Sequence, residues 1–213
     1  MRGKDIVRAG YDAIAAEYTA SRQADSEDVR LLSELTRRLP KGSAVLDAGC
    51  GSGVPVTRIL AQSFDVTGVD FSEAQIALAR RNVPQARFLC GDITRLDFAD
   101  ASFDAVVSYY AIIHIPRENH RALLSDFCRF IKPGGWALLC LGANDLPDDV
   151  EDFMGAPMYW SHYDADTNLR MLAEAGFSIV WHKIVPDSLD DDGGAHLFAL
   201  AHKPLNESAD EQR

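Results

Sequence analysis

The apolar positions of this chain change their period along its length, and the changes divide it. In the first forty residues they recur at helical spacing. Tyr11, Ile14, Ala15 and Tyr18 make one stripe; Val29, Leu31, Leu32, Leu35 and Leu39 make a second, closed by Pro40, Lys41 and Gly42. Beyond Gly42, short runs rich in β-branched residues alternate with helical patterns. The runs predict strands over 44–47, 65–70, 86–90, 103–108 and 136–141, and the patterns between them predict helices over 55–62, 73–82 and 119–131. Strand, helix, strand at this rhythm calls for a parallel sheet with helices on both faces.

Residues 143–163 break the rhythm. They carry Pro147, Gly155, Pro157 and several aromatics with no clear period, which predicts a long functional loop. A helix over 164–175, closed by Gly176, follows. The last two runs, 177–185 and 196–202, flank Gly193-Gly194 and suit an antiparallel hairpin at the sheet edge. Residues 204–213 are expected to be a disordered tail.

Composition narrows the class. With 213 residues, 47% hydrophobic and 25% charged, the chain fits one ordinary globular domain, placed here at 1–203. No stretch approaches the ~20 apolar residues that span a bilayer, and the N-terminus lacks the apolar core of a secretory signal, so a cytoplasmic protein is expected. The net charge of −11, with Asp187, Asp190, Asp191 and Asp192 clustered late and no basic stripe, argues against nucleic acid as partner. Cys50, Cys90, Cys128 and Cys140 form no C-x-x-C pair and have no histidine at metal-ligand spacing. They are expected to be core thiols, and no metal site is predicted.

The first strand runs into Asp47-Ala48-Gly49-Cys50-Gly51-Ser52-Gly53, and a helix with Pro55 near its start follows. Glycines at the carboxyl end of a first strand let backbone approach a nucleotide closely. A dinucleotide G-x-G-x-x-G fails because Val54 stands at its last glycine; a phosphate-binding loop fails there too, and a nucleophile elbow on Ser52 fails because Cys50 and Val54 flank it. What remains is Asp-x-G-x-G-x-G, a loop with no pyrophosphate to hold. The second strand ends in Asp70, 21 residues after Gly49, the spacing at which an acid receives two ribose hydroxyls. Asp70 could instead cap the next helix, for which Ser72 is the better candidate.

The string Val45-Leu46-Asp47-Ala48-Gly49-Cys50-Gly51-Ser52-Gly53, after a strand and before a helix, resembles motif I of the class I S-adenosylmethionine (SAM)-dependent methyltransferases, closest to small-molecule enzymes of the ubiquinone/menaquinone-biosynthesis type. The resemblance covers roughly 42–142, and 143–202 more loosely. It implies a Rossmann-like, doubly wound seven-stranded α/β sheet, mostly parallel with an antiparallel last strand. It implies SAM as cofactor, S-adenosylhomocysteine as product, and a small-molecule acceptor. Cofactor contacts fall on Asp47, Gly49, Cys50, Gly51 and Gly53. Asp92 and Ile93 would read the adenine, where Asp92 alone would pass for a turn residue. Phe71 and Ile93 would sandwich the base, and Ser108 and Tyr109 lie beneath the methyl group.

Relatives close an N-terminal helix over SAM, which makes 1–40 a lid carrying Tyr11 and Tyr18, unless those tyrosines are only a core stripe. Ser108-Tyr109-Tyr110-Ala111 stands where amino-group methylases carry Asn/Asp-Pro-Pro-Tyr/Phe, which argues against adenine or glutamine as target. Residues 143–163 would be an acceptor lid with Met158, Tyr159, Trp160 and His162 on its wall. For proton handling the candidates are His162 first, then Tyr109, His114 and His196, each open to a purely structural role. Two other functions stay open: a SAM or nucleoside binder without turnover, and more distantly an NAD-dependent oxidoreductase.

Overall fold

The computed structural model describes residues 3–187 and 194–205. The expected Gly193 turn position, the aspartates at 190–192 and residues 206–213 lie outside that range.

In chain order the elements are α1 (Gly3–Ser21), α2 (Glu27–Arg30), α3 (Leu32–Thr36), β1 (Ala44–Ala48), α4 (Val56–Leu60), β2 (Asp65–Asp70), α5 (Glu73–Asn82), β3 (Arg87–Cys90), β4 (Phe103–Ser108), α6 (His120–Phe130), β5 (Ile131–Gly142), β6 (Leu146–Phe153), β7 (Ala156–His162), α7 (Ala165–Glu174), β8 (Ser178–Pro186) and β9 (Ala195–His202). The main sheet has the order β3-β2-β1-β4-β5-β9-β8. β1 to β5 are parallel, and β9 runs antiparallel to both neighbours. The expected edge hairpin is present, but β9 is its inner strand and β8 the edge. Among the described residues no helix is long and apolar enough to cross a membrane.

The strand runs are apolar at nearly every position because both faces are covered. Leu46, Val106, Leu139 and Leu141 pack with α6 and α7 through Leu124, Phe127 and Leu172. Their neighbours Val45, Val107, Leu138 and Cys140 pack with α3 and α4 through Leu32, Leu35 and Leu60. The strand order reverses between β1 and β4, so their carboxyl ends splay apart and open a crevice, the usual ligand position in such sheets.

Three boundaries differ from expectation. The helical segment after Asp28 is broken at Leu31 into α2 and α3. β5 starts five residues early, because Phe103 pairs with Ile131 and Ala105 with Trp136, so residues 132–135 bulge out around Gly134 at φ 80°. Residues 143–163 are a hairpin rather than a loop. Phe153 pairs with Ala156 across Met154 and Gly155, both at positive φ, the backbone of a tight type I′ turn. Met-Gly is a weak turn signal, and β6 (Leu-Pro-Asp-Asp-Val-Glu-Asp-Phe) has no apolar face, which is why no strand was legible there. Two strands alone are barely stable. Here α1 supplies the missing face: Val7 and Ile14 bury against Ala156, Met158 and Tyr159. A Cβ at Gly10 would stand 2.8 Å from the Pro157 carbonyl, so glycine permits the close approach.

Candidate active site

The glycine loop is held by backbone and by one carboxylate. Gly49 and Cys50 donate their N–H groups to the Val69 carbonyl at 2.8 and 3.0 Å. Gly51 donates to Asp70 Oδ2 at 2.9 Å, and Ser72 donates to Asp70 Oδ1 at 2.9 Å. Ser72 caps α5 by accepting from Gln75 N, so Asp70 is left for the loop and the crevice. Burial pushes the Asp70 carboxyl up to about 6, against the backbone donors of Ser72 and Gly51 that pull it down. Burial likewise lifts Asp47 to about 7, with the Thr57 hydroxyl, 2.5 Å away, opposing it.

Three connected compartments open over the carboxyl ends of the strands. The largest, 630 Å³, runs from Asp70, Phe71, Asp92 and Ile93 at one end to Tyr109, Tyr110 and His114 at the other. The second, 360 Å³, lies against Asp47, Gly49, Cys50 and Pro55, with Arg22 on its far side. The third, 230 Å³, is walled by Ile113, Phe153 and Trp160. Tyr18 and Tyr110 border all three, so the compartments meet between these two rings. Tyr110 has φ 53°, a left-handed backbone that a bulky residue adopts only where the surroundings impose it.

α1 covers the crevice and is fastened at several points. Lys4 Nζ pairs with Asp92 Oδ2 at 2.8 Å, and Ser72 Oγ donates to Asp12 Oδ1 at 2.5 Å. Burial opposes the charge of Asp92, but the Lys4 ammonium and the Thr94 donors outweigh it and hold the carboxyl below its ordinary range. Tyr11 Oη lies 3.0 Å from His114 Nε2, while His114 Nδ1 lies 2.8 Å from the Tyr159 carbonyl. A carbonyl only accepts, so Nδ1 carries the proton and Nε2 accepts from Tyr11. Burial lowers the His114 imidazole to about 4, which keeps it neutral.

The structure thus gathers Tyr11, Tyr18, Asp47, Gly49, Cys50, Gly51, Asp70, Phe71, Asp92, Ile93, Tyr109 and His114 around the first two compartments. Other predicted site residues lie elsewhere. Gly53 faces α5: a Cβ there would press on Val83 and Ala79. Ser108 is buried in the sheet and donates to the Ala48 carbonyl at 2.7 Å. Tyr109 offers its ring, but its hydroxyl donates to the Asp28 carbonyl at 3.0 Å. His162 packs over Gly142, where a Cβ would approach its Nδ1 to 2.2 Å, and that nitrogen bonds the Asn144 carbonyl at 2.7 Å. It borders none of the three compartments. Met158 and Tyr159 face α1 instead, leaving Trp160 as the predicted wall residue that lines the third compartment. His196 stands behind Tyr110, ring centroids 5.2 Å apart, with Nε2 3.1 Å from Asp187 Oδ2.

Four contributors were not anticipated. Lys4 and Arg22 extend the Tyr11–Tyr18 stripe of α1, one two turns before it and one a turn after, so the same period could have found them. Arg22 is a buried cation, paired with Asp28 at 2.7 Å, and its guanidinium lies 4.7 Å from the Tyr110 ring centre. Tyr110 itself gave no signal beyond its place after β4. Gln75 borders the first compartment, and both its side-chain polar atoms are buried without a partner.

Residues 45–135 match the family model described as a methyltransferase domain. The chain is 31% identical over 136 residues to the demethylmenaquinone methyltransferase of Renibacterium salmoninarum, covering 62% of this chain and 56% of that protein. It is 32% identical over 146 residues to the tRNA (carboxymethyluridine(34)-5-O)-methyltransferase of Arabidopsis thaliana, covering 68% and 34%. The chain thus spans about half the length, or less, of these two curated relatives. Their names include both a small-molecule and an RNA acceptor, so the match by itself spans both classes. In fold it superposes on the Burkholderia thailandensis 1,6-didemethyltoxoflavin-N1-methyltransferase, solved with 1,6-didemethyltoxoflavin and S-adenosylhomocysteine bound. The TM-score is 0.66 at 22% identity, covering 93% of this chain and 91% of that one.

Proposed function

The chain carries a methyltransferase domain of the class I SAM-dependent family, and from that premise we propose that it transfers the methyl group of SAM to a small-molecule acceptor by in-line displacement. The observation that carries this reading is the meeting of three compartments between Tyr18 and Tyr110. A sulfonium centre has three substituents, and the compartments offer each its own room. Asp70 would accept the ribose hydroxyls, with Asp92, Ile93 and Phe71 around the adenine. Asp47 and Arg22 would face the ammonium and carboxylate of the methionine end. Gln75 supports the fit, since a buried amide without partners is what a ligand's hydroxyls would satisfy. When bound, SAM supplies a methyl group already activated by its positive sulfur. The residues around it align the acceptor and exclude water.

A small acceptor is favoured over RNA by the third compartment, whose 230 Å³ are closed off by the β6–β7 hairpin. Calorimetric titration with SAM, S-adenosylhomocysteine and NAD tests the cofactor. Micromolar affinity for the first two and none for NAD is expected; no affinity for either sulfur compound would overturn the reading. A binder without turnover would bind both and release no S-adenosylhomocysteine with any acceptor offered.

Affinity for SAM should also depend on pH. The ribose hydroxyls and the methionine ammonium favour the ionised forms of Asp70 and Asp47, whose carboxyls stand at about 6 and about 7. From pH 5.5 to 7.5 the ionised share of Asp70 alone rises about fourfold, so the dissociation constant should fall at least that much. In the ligand-free chain the sign is opposite. The folded state keeps protons that the unfolded chain has lost, so these two groups stabilise the fold at low pH and cease to as pH rises through their raised values. A dissociation constant flat across this range would show that neither carboxylate touches the cofactor.

A further inference from the structure

The third compartment has a chemistry of its own, argued here on the basis of the cofactor placement just given. Its walls are almost wholly apolar, formed by Ile113, Phe153 and the rings of Tyr11, Tyr18, Tyr110 and Trp160. On these walls stand two buried polar atoms with no hydrogen-bond partner, Tyr110 Oη and Trp160 Nε1. An indole N–H can only donate, and a phenol O–H donates readily. Buried donors are almost always paired, and an unpaired one usually marks a missing partner.

Neither side chain is free to turn and find a partner elsewhere. Trp160 is wedged between His114, centroids 4.3 Å apart, and Phe153, 5.8 Å away and nearly perpendicular. Tyr110 is clamped between Arg22 on its ring, at 4.7 Å, and the edges of His196 and Phe198, at 5.2 and 6.0 Å. The donors are therefore fixed in position before any ligand arrives. A cavity of about 150 Å³ holds benzene, so 230 Å³ suits one substituted ring or two fused rings.

We propose that this compartment binds a flat one- or two-ring aromatic acceptor through oxygen, hydroxyl or carbonyl, that takes hydrogen bonds from Trp160 Nε1 and Tyr110 Oη. The aromatic body meets ring edges and faces, which suits stacking. The oxygen fixes which edge of the ring turns toward Tyr18 and the transferring methyl group. A hydrocarbon of the same shape would leave both donors unpaired and bind less well.

The test uses 2-naphthol and naphthalene as probes, titrated by calorimetry into the full chain saturated with S-adenosylhomocysteine. The wild type should prefer 2-naphthol by roughly five- to tenfold, the ratio that one ordinary hydrogen bond supplies. In the Trp160→Phe, Tyr110→Phe double variant the preference should vanish while naphthalene affinity holds within about twofold. Circular dichroism and thermal melting of the double variant establish that the rings still pack. Equal affinity for the two probes in the wild type, a preference that survives in the double variant, or no binding of either probe below millimolar concentration would each overturn the proposal. The cofactor titration separates the two readings. Donor-dependent naphthol binding without S-adenosylhomocysteine affinity would sink the cofactor placement alone. Cofactor affinity without the naphthol preference would sink the compartment's chemistry alone.

Discussion

Alanine at position 49 should abolish measurable SAM binding and lower the thermal midpoint by roughly 5–15 °C. Two independent costs combine. Gly49 has φ 83°, and a residue with a side chain is strained there by about 1 kcal/mol. Its new Cβ would also stand 2.1 Å from the Cβ of Ala111, an atom fixed to backbone rather than the end of a flexible chain. Overpacking of this kind costs about 1–3 kcal/mol, and each kcal/mol moves the midpoint of a chain this size by about 2–4 °C. Relief by shifting the loop would carry away the backbone that borders the first two compartments. Gly42→Ala is the natural control. Its φ is 79°, but no atom lies within 4 Å of the added Cβ, so strain acts there alone. Calorimetry on both variants checks the difference. A Gly49→Ala protein that binds SAM within about twofold of wild type would show that the loop does not approach the cofactor.

Asp70→Asn should weaken SAM by at least about 100-fold while leaving the fold nearly as stable. The carboxylate accepts from Gly51 on one oxygen and Ser72 on the other. An amide of the same shape must turn its NH₂ toward one of these donors, which disturbs the loop. It also offers the ribose one acceptor where there were two. Hydrogen bonds to a charged group contribute about 1.5–3 kcal/mol each, so two lost bonds reach that factor. Stability suffers less, because burial already disfavours the charge of Asp70 and the neutral side chain escapes that cost. The expected pattern is a lost titration signal with a midpoint within about 3 °C of wild type. A dissociation constant within threefold of wild type would remove Asp70 from the cofactor site.

The cofactor half of the site was legible because its chemistry is local. Asp47, Asp70 and Asp92 each stand at or just past the end of a strand whose boundaries follow from apolar runs, so register alone brings them together. The strand order did the rest, since a crevice at the reversal between β1 and β4 is a property of the topology. The acceptor half was not legible, for a different reason. Its walls come from α1, from the backbone after β4 and from a hairpin whose outer strand has no apolar face. His162 illustrates the difficulty. In the sequence it stands between aromatics and suggests a pocket, yet in the fold its ring fills the space that Gly142 leaves open. Trp160, two residues earlier on the same strand, reaches the compartment instead, placed there by its packing on His114. A histidine's use depends on what each ring nitrogen meets, and those partners are set by segments distant in sequence.

The shared interface of α1 and β7 has a mechanical consequence. One side of the helix is glued to the hairpin through Val7, Gly10 and Ile14, while the other carries Lys4, Tyr11 and Tyr18 over the crevice. A displacement of α1 alone would strip Met158 and Tyr159 of their cover, so the helix and hairpin behave as a single plate with several latches. Lifting it breaks the Lys4–Asp92 ion pair and the Tyr11–His114 and Ser72–Asp12 hydrogen bonds together, which makes opening an all-or-none event. The roof of the first compartment and the wall of the third then leave in one motion, so traffic into both rooms is set by one clock.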